Sequence, residues 1–170
     1  TAGVRGGPGC VGGVFLQYCK ENKLTPADAI PKVDVKLKLH RVSEFDQKRG
    51  TWACTFVLML DWVDPSLSMA ANPLKPNFED HFWPKCEILD VANDSPDPPS
   101  PPAPKYKPEL PPKQGTFGIH HATTTTKYTC VIYVSPNYSD FPFDVQILQI
   151  SVKLLGIRIP GANGSVRPQA

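Results

Sequence analysis

The sequence predicts an all-β protein, an antiparallel β-sandwich with one short helix near its N-terminus. Two observations carry that prediction. Apolar residues take alternate positions along Val33–His40 and again along Trp52–Trp62, the period of a strand with one face turned to a core. Short segments of this kind recur along the chain and are separated by Pro and Gly rather than by helix-period stretches. At 170 residues, 41% hydrophobic and 20% charged, the chain is one domain-sized unit able to bury a core.

The elements follow in order. Residues 1–13 are Gly-rich and are expected to be a flexible N-terminus. Residues 14–23 carry a weak apolar stripe through Val14, Leu16 and Tyr18, which predicts the helix. Thr25, Pro26 and Asp28 read as an N-cap and first turn, and Pro31 ends that element. Val33, Val35, Leu37 and Leu39 then alternate with Asp34, Lys36, Lys38 and His40, a half-buried strand with one wet face. Ser43 to Gly50 is polar and reads as a turn. Trp52, Cys54, Phe56, Leu58, Leu60 and Trp62 form a second, more deeply buried strand, stopped by Asp64-Pro65-Ser66.

Residues 66–80 read as loop, and Phe82 to Val91 as a third strand. Pro96 to Pro112 holds nine of the chain's 20 prolines, so it is expected to be an extended, polyproline-like insertion outside the core. It suits a docking site for a protein partner, a stalk bearing O-linked sugar, or a tolerated surface insertion. Residues 116–135 give two strands or one long one around Thr123–Thr126, since Cβ branching suits the pleat. Leu148, Ile150, Val152 and Leu154 alternate with polar residues as a closing strand. The sandwich is thus expected over 14–159, with a flexible tail over 160–170.

Composition removes several function classes. A net charge of +2 leaves no electrostatic footprint for nucleic acid. No run of about 18 apolar residues exists, so any membrane attachment is expected through segments outside this chain. The five cysteines form no CxxC or Cys/His cluster, and no metal or other cofactor is expected. Cys10 and Cys19 are close enough in sequence to bridge, or to remain as free thiols. His120 and His121, adjacent on a strand, point to opposite faces and cannot share a metal. The four histidines are expected to be solvated or structurally satisfied. No nucleophile elbow, phosphate-binding glycine loop or paired carboxylate is present, so no catalytic residue is assigned and no enzyme is expected. Three N-x-S acceptors, at Asn93, Asn137 and Asn163, point to a secretory route and an extracellular or cell-surface location.

Three segments, in this order, carry a resemblance. Val33–Leu67 ends in Trp62, Asp64 and Leu67, a W-x-D followed by leucine. Phe82-Trp83-Pro84 is followed by Asp90-Val91-Ala92-Asn93. Phe141-Pro142-Phe143-Asp144 is followed by Gln146. Together they resemble the immunoglobulin-like extracellular domain of the pentameric ligand-gated ion channels over roughly residues 14–156. The aromatic order of the Phe-Trp-Pro segment is altered from the family's. Animal members bracket the F-P-F-D stretch with two cysteines, and here those positions are Val134 and Leu148, as in the cysteine-free bacterial branch. Without that bridge Phe141 and Phe143 must anchor the loop by burial, at ~1.5–3 kcal/mol each.

The resemblance implies a ring of five subunits with ligand sites between neighbours. It places the ligand positions at Val57, Leu89 and Tyr128. Val57 and Leu89 offer no aromatic face for an amine. It also implies that loops Ser43–Gly50 and Ser135–Asp144, with Phe45, Asp46 and Phe141–Asp144, face a membrane end and pass binding strain to a pore. In the family the last strands and membrane spans follow the position of residue 156, so the chain is expected to be either a fragment of such a channel or a degenerate sandwich that no longer gates a pore. The competing expectation is a structural or interaction module on the same sandwich, assembling as a homo- or hetero-oligomer. Ser95–Pro104 resembles the hydroxyproline-rich glycoprotein segments of algal and plant surfaces.

Overall fold

The computed structural model describes residues 9–70, 77–93, 95–96, 105–107, 121–134, 147–155, 157–158 and 165–166. They form an all-β architecture of mostly antiparallel sheets with one short helix. The strands are β1 (Gly9–Val11), β2 (Val33–Asp46), β3 (Thr51–Val63), β4 (Phe82–Trp83), β5 (Cys86–Ile88), β6 (Lys105–Lys107), β7 (His121–Tyr133), β8 (Val152–Leu154), β9 (Ile157–Arg158) and β10 (Ser165–Val166); the helix α1 is Gly13–Glu21. The largest sheet runs β2-β3-β7-β6, a second runs β10-β9-β1-β4, and β5 pairs with β8.

The β3–β7 pair is the spine. Its register is unbroken from Thr51↔Tyr133 to Val63↔His121. Trp52, Cys54, Phe56, Leu58, Leu60 and Trp62 all point to one face, opposite Ile132, Cys130, Tyr128, Thr126, Thr124 and Ala122. That face meets Phe15 and Cys19 of α1, Leu67, Phe82 and Ile88 in one core. Aromatic pairs knit it: Phe56 stacks on Tyr128 at 5.4 Å, and Trp62 meets Phe82 edge-on at 6.2 Å. The Thr-rich segment is therefore one long strand.

Several expectations change. The segment 43–50 is not all turn: β2 continues to Asp46, and the turn is 47–50. Two register shifts, between Leu39 and Arg41 and between Ser43 and Phe45, each insert one extra residue. The apolar spacing lengthens from two to three at Leu39–Val42 and Val42–Phe45, and the bulges absorb the difference. Val42 and Phe45 stay on the face of Cys54 and Trp52, and Glu44 takes a left-handed φ of 46° to do it.

Nor is β2 half-buried. Only Val33 is fully buried, while Val35, Leu37, Leu39, Val42 and Phe45 are 38–47% exposed. As the edge strand, β2 extends past the layer that covers β3.

The strand expected over Phe82–Val91 divides at Pro84. Proline has no N–H, so the ladder cannot continue through it. β4 pairs with β1, and β5 turns to β8, with Leu89 N–H donating to the Ser151 carbonyl at 2.9 Å. Asp90, at φ 59°, then redirects the chain to β7, where Val91 bridges Ile132. The closing strand forms a ladder only over Val152–Leu154, although burial alternates over residues 147–150.

Three segments expected to lie outside the sheets contribute strands. Gly9–Val11 pairs with β4 and β9, and Ser165–Val166 pairs with β9. Lys105–Lys107, a Pro-free triplet whose N–H groups remain available, pairs with β7 inside the Pro-rich segment.

Candidate functional site

The W-x-D and Phe-Trp-Pro motifs, separated in sequence, form one clasp. Asp64 is fully buried; its Oδ1 accepts the Ser66 N–H at 2.9 Å and its Oδ2 accepts the Phe82 N–H at 3.0 Å. The first bond caps the 3-10 turn Pro65–Met69, and the second anchors β4. Beside them Ser66 Oγ lies 3.0 Å from His81 Nδ1, and both residues are buried. Burial pushes the Asp64 carboxyl above its ordinary range, and the bonds from Ser66 and Phe82 oppose that push. Burial also pushes His81 down, against the pull of the Asp64 and Asp80 carboxylates.

Asp, Ser and His are the residue types of a hydrolytic triad, but their geometry is that of a clasp. The carboxylate is held by the Ser66 and Phe82 N–H groups and by the Ser66 side chain, and the serine is sealed from solvent. Trp62 and Pro84 pack in the same core, and Lys85 Nζ sits 5.0 Å above the Trp83 ring. Gly12 belongs here as well, a residue that motif reading passed over. Its N–H donates to the His81 carbonyl at 3.1 Å, and a Cβ at that position would meet the Asp80 backbone at 2.2 Å.

Phe45 and Asp46, two of the residues expected to couple, lie at the other end of the spine. Asp46 Oδ1 accepts the N–H groups of Lys48 and Arg49 at 2.9 and 3.1 Å, which folds the β2–β3 turn; Gly50 completes it at φ 59°. Val134 N–H donates to the Gly50 carbonyl at 2.8 Å, so the exit of β7 abuts this turn. Here a cleft of about 680 Å³ is lined by Arg49, Asp90, Tyr133, Val134 and Ile147, among others. The segment carrying Phe141, Pro142, Phe143, Asp144 and Gln146 leaves after Val134 and returns at Ile147; those five residues lie outside the described ones.

The three residues expected at ligand positions do not converge within one chain. Val57 pairs with Lys127 on the outer face, whereas Tyr128 pairs with Phe56 on the inner face. The Tyr128 hydroxyl is buried 3.7 Å from Cys86 Sγ. Leu89 is tied to Ser151 at the start of β8. Cys19 is a buried free thiol, one of the two states expected of it. Asn93 is exposed in a turn beside β7, and Ser95 Oγ accepts the Val131 N–H at 3.1 Å. Asn137 and Asn163 lie outside the described residues. Among the described residues no helix is long and apolar enough to cross a membrane, and no three His, Cys, Asp or Glu side chains cluster as metal ligands.

Compared with known proteins, the chain matches no family model and no curated protein sequence.

Proposed function

We propose that the chain is the assembly domain of a cell-surface oligomer, a sandwich of the channel extracellular-domain type whose edge strand β2 packs against a second copy. The observation that carries this reading is the row Val35, Leu37, Leu39, Val42 and Phe45. All five are 38–47% exposed, and two bulges hold all five to one face. The row offers a few hundred Å² of apolar surface, on the order of the largest patch a monomer ordinarily exposes. A standard interface takes about 800 Å² per partner, so the row forms the apolar centre of a larger contact. A ring satisfies it, because each subunit then presents β2 to one neighbour and a different surface to the other.

Two further observations support the reading. The β2–β3 turn and the exit of β7 stand together at one end, as the coupling loops of such a domain require. Asn93, the acceptor of an N-x-S site, is exposed as surface glycosylation requires. A small-molecule site inside one subunit has less support, since Val57 and Tyr128 occupy opposite faces. The same β2 face would equally serve a module of an assembly that is not a channel.

Solution mass measured by light scattering tests the proposal. The chain should elute as a ring of defined size, five subunits for the channel type. Leu37→Asp/Leu39→Asp should elute as a monomer with an unchanged far-UV spectrum. A wild-type monomer at tens of micromolar would sink the proposal, and a dimer would favour the non-channel module.

A further inference from the structure

Cys54 of β3 and Cys130 of β7 are direct register partners on the inner face of the spine. Both are buried, and their Sγ atoms are 3.9 Å apart. We propose that this pair is a disulfide site: in an oxidising compartment the two thiols form a cross-strand bridge that locks β3 to β7.

Backbone geometry favours it. Directly opposed residues of an antiparallel pair hold their Cα atoms about 4.5–5.5 Å apart, inside the 4.4–6.8 Å span of disulfides. A bond of about 2.04 Å needs the sulfurs to close by roughly 2 Å, within reach of side-chain rotation. The register is unbroken along the whole of β3 and β7, so the Cα positions are not free to drift. Cys86 is placed differently, with its Sγ against the Tyr128 hydroxyl.

The oxidant is a small-molecule disulfide such as oxidised glutathione. One cysteine thiolate attacks it, forming a mixed disulfide and releasing one glutathione thiolate. The second cysteine thiolate attacks the protein-side sulfur and releases the other glutathione. Two protein thiols are oxidised, one glutathione disulfide is reduced, and the two thiol protons end on the two glutathiones.

Timing follows from burial. Desolvation, with the neighbouring Cys54 thiol, pushes Cys130 up to about 12, so the folded, reduced pair holds almost no thiolate. The bridge therefore forms while β7 docks on β3, before the core closes. The linked residues are 76 apart, a long loop whose closure restricts the unfolded chain.

The full chain, reduced and denatured, should be refolded in a glutathione redox buffer, quenched with N-ethylmaleimide and digested without reduction. A peptide pair joining Cys54 to Cys130 is expected, with Tm raised by roughly 5–15 °C over protein refolded with reductant. Cys54→Ala should fold and show no such difference in Tm between the two buffers. Alkylation of both cysteines in the oxidised sample, or a link from either to another cysteine, would overturn the proposal. So would a link that lowers Tm, since the native register would then not accommodate the bridge.

Discussion

Asp64 reaches across eighteen residues of chain to hold the backbone of Phe82, its Oδ2 accepting that N–H at 3.0 Å. The same carboxylate caps the turn at Ser66, so one side chain ties the end of β3 to the start of β4. Asp64→Ala leaves two N–H groups without their partner in a sealed site. The expected loss is about 3 kcal/mol, from hydrogen bonds to a carboxylate and unmet donors. Asp64→Asn keeps one acceptor oxygen and should lose less. Urea unfolding midpoints at constant m-value would measure both.

His81 gives the clasp a pH dependence. Burial depresses its folded-state pKa below the ordinary 6.5, so the unfolded chain binds the proton first. Its contribution to stability is present above pH 6.5 and is lost as pH falls through the folded value. Asp64 acts in the opposite sense: its raised pKa makes the folded state the better proton binder, so its contribution declines as pH rises from 3.8 to the folded value. Acidifying from pH 7.5 to 5 should destabilise the wild type through His81. In His81→Asn the same change should leave stability level or raise it. An equal loss in both proteins would show that other groups govern the slope.

Gly12 is required by space. Its φ is −90°, open to any residue, but an added Cβ would meet Asp80 backbone atoms at 2.2–2.3 Å. Gly12→Ala should therefore destabilise by roughly 1–3 kcal/mol despite alanine's lower conformational entropy. Gly13→Ala, with nothing within 4 Å, should be stabilising or neutral, because alanine favours the helix. Thermal melts of the two variants side by side provide the check.

Tyr128 separates packing from polar function. Its ring stacks on Phe56 in the core, and its hydroxyl meets the Cys86 thiol at 3.7 Å and the Thr126 side chain. Tyr128→Phe should change stability by less than about 1 kcal/mol, whereas Tyr128→Ala should lose about 3–5 kcal/mol. A large loss in the Phe variant would mean the hydroxyl carries more weight than its Cys86 and Thr126 contacts explain.

The spine was legible because period-two alternation is a local property. Trp52–Trp62 shows it, and the inner face follows residue by residue. The clasp was half legible: Trp62, Asp64, Phe82, Trp83 and Pro84 stood out as motifs, but their joining by one carboxylate depends on three-dimensional proximity. His81 and Gly12 gave no local signal, because each matters through a partner distant in sequence, and Ser66 stood out only as part of the stop after β3. The exposure of β2 was also hidden. Alternation reports which face is apolar, but whether anything covers that face is set by sheet order. The short strands β1, β6 and β10 escaped because two or three residues carry no period.

The bulges of β2 also determine which losses of a residue the strand can absorb. His40 and Glu44 are the extra residues opposite Phe56–Thr55 and Ala53–Trp52. Excising either would restore a regular ladder and leave every flanking side chain on its present face. Excising Lys36 would invert one half of the strand, turning charges toward Leu58 and Phe56 or apolar groups to the other side. Two neighbouring single-residue deletions in one strand should thus differ between a silent change and a failed fold.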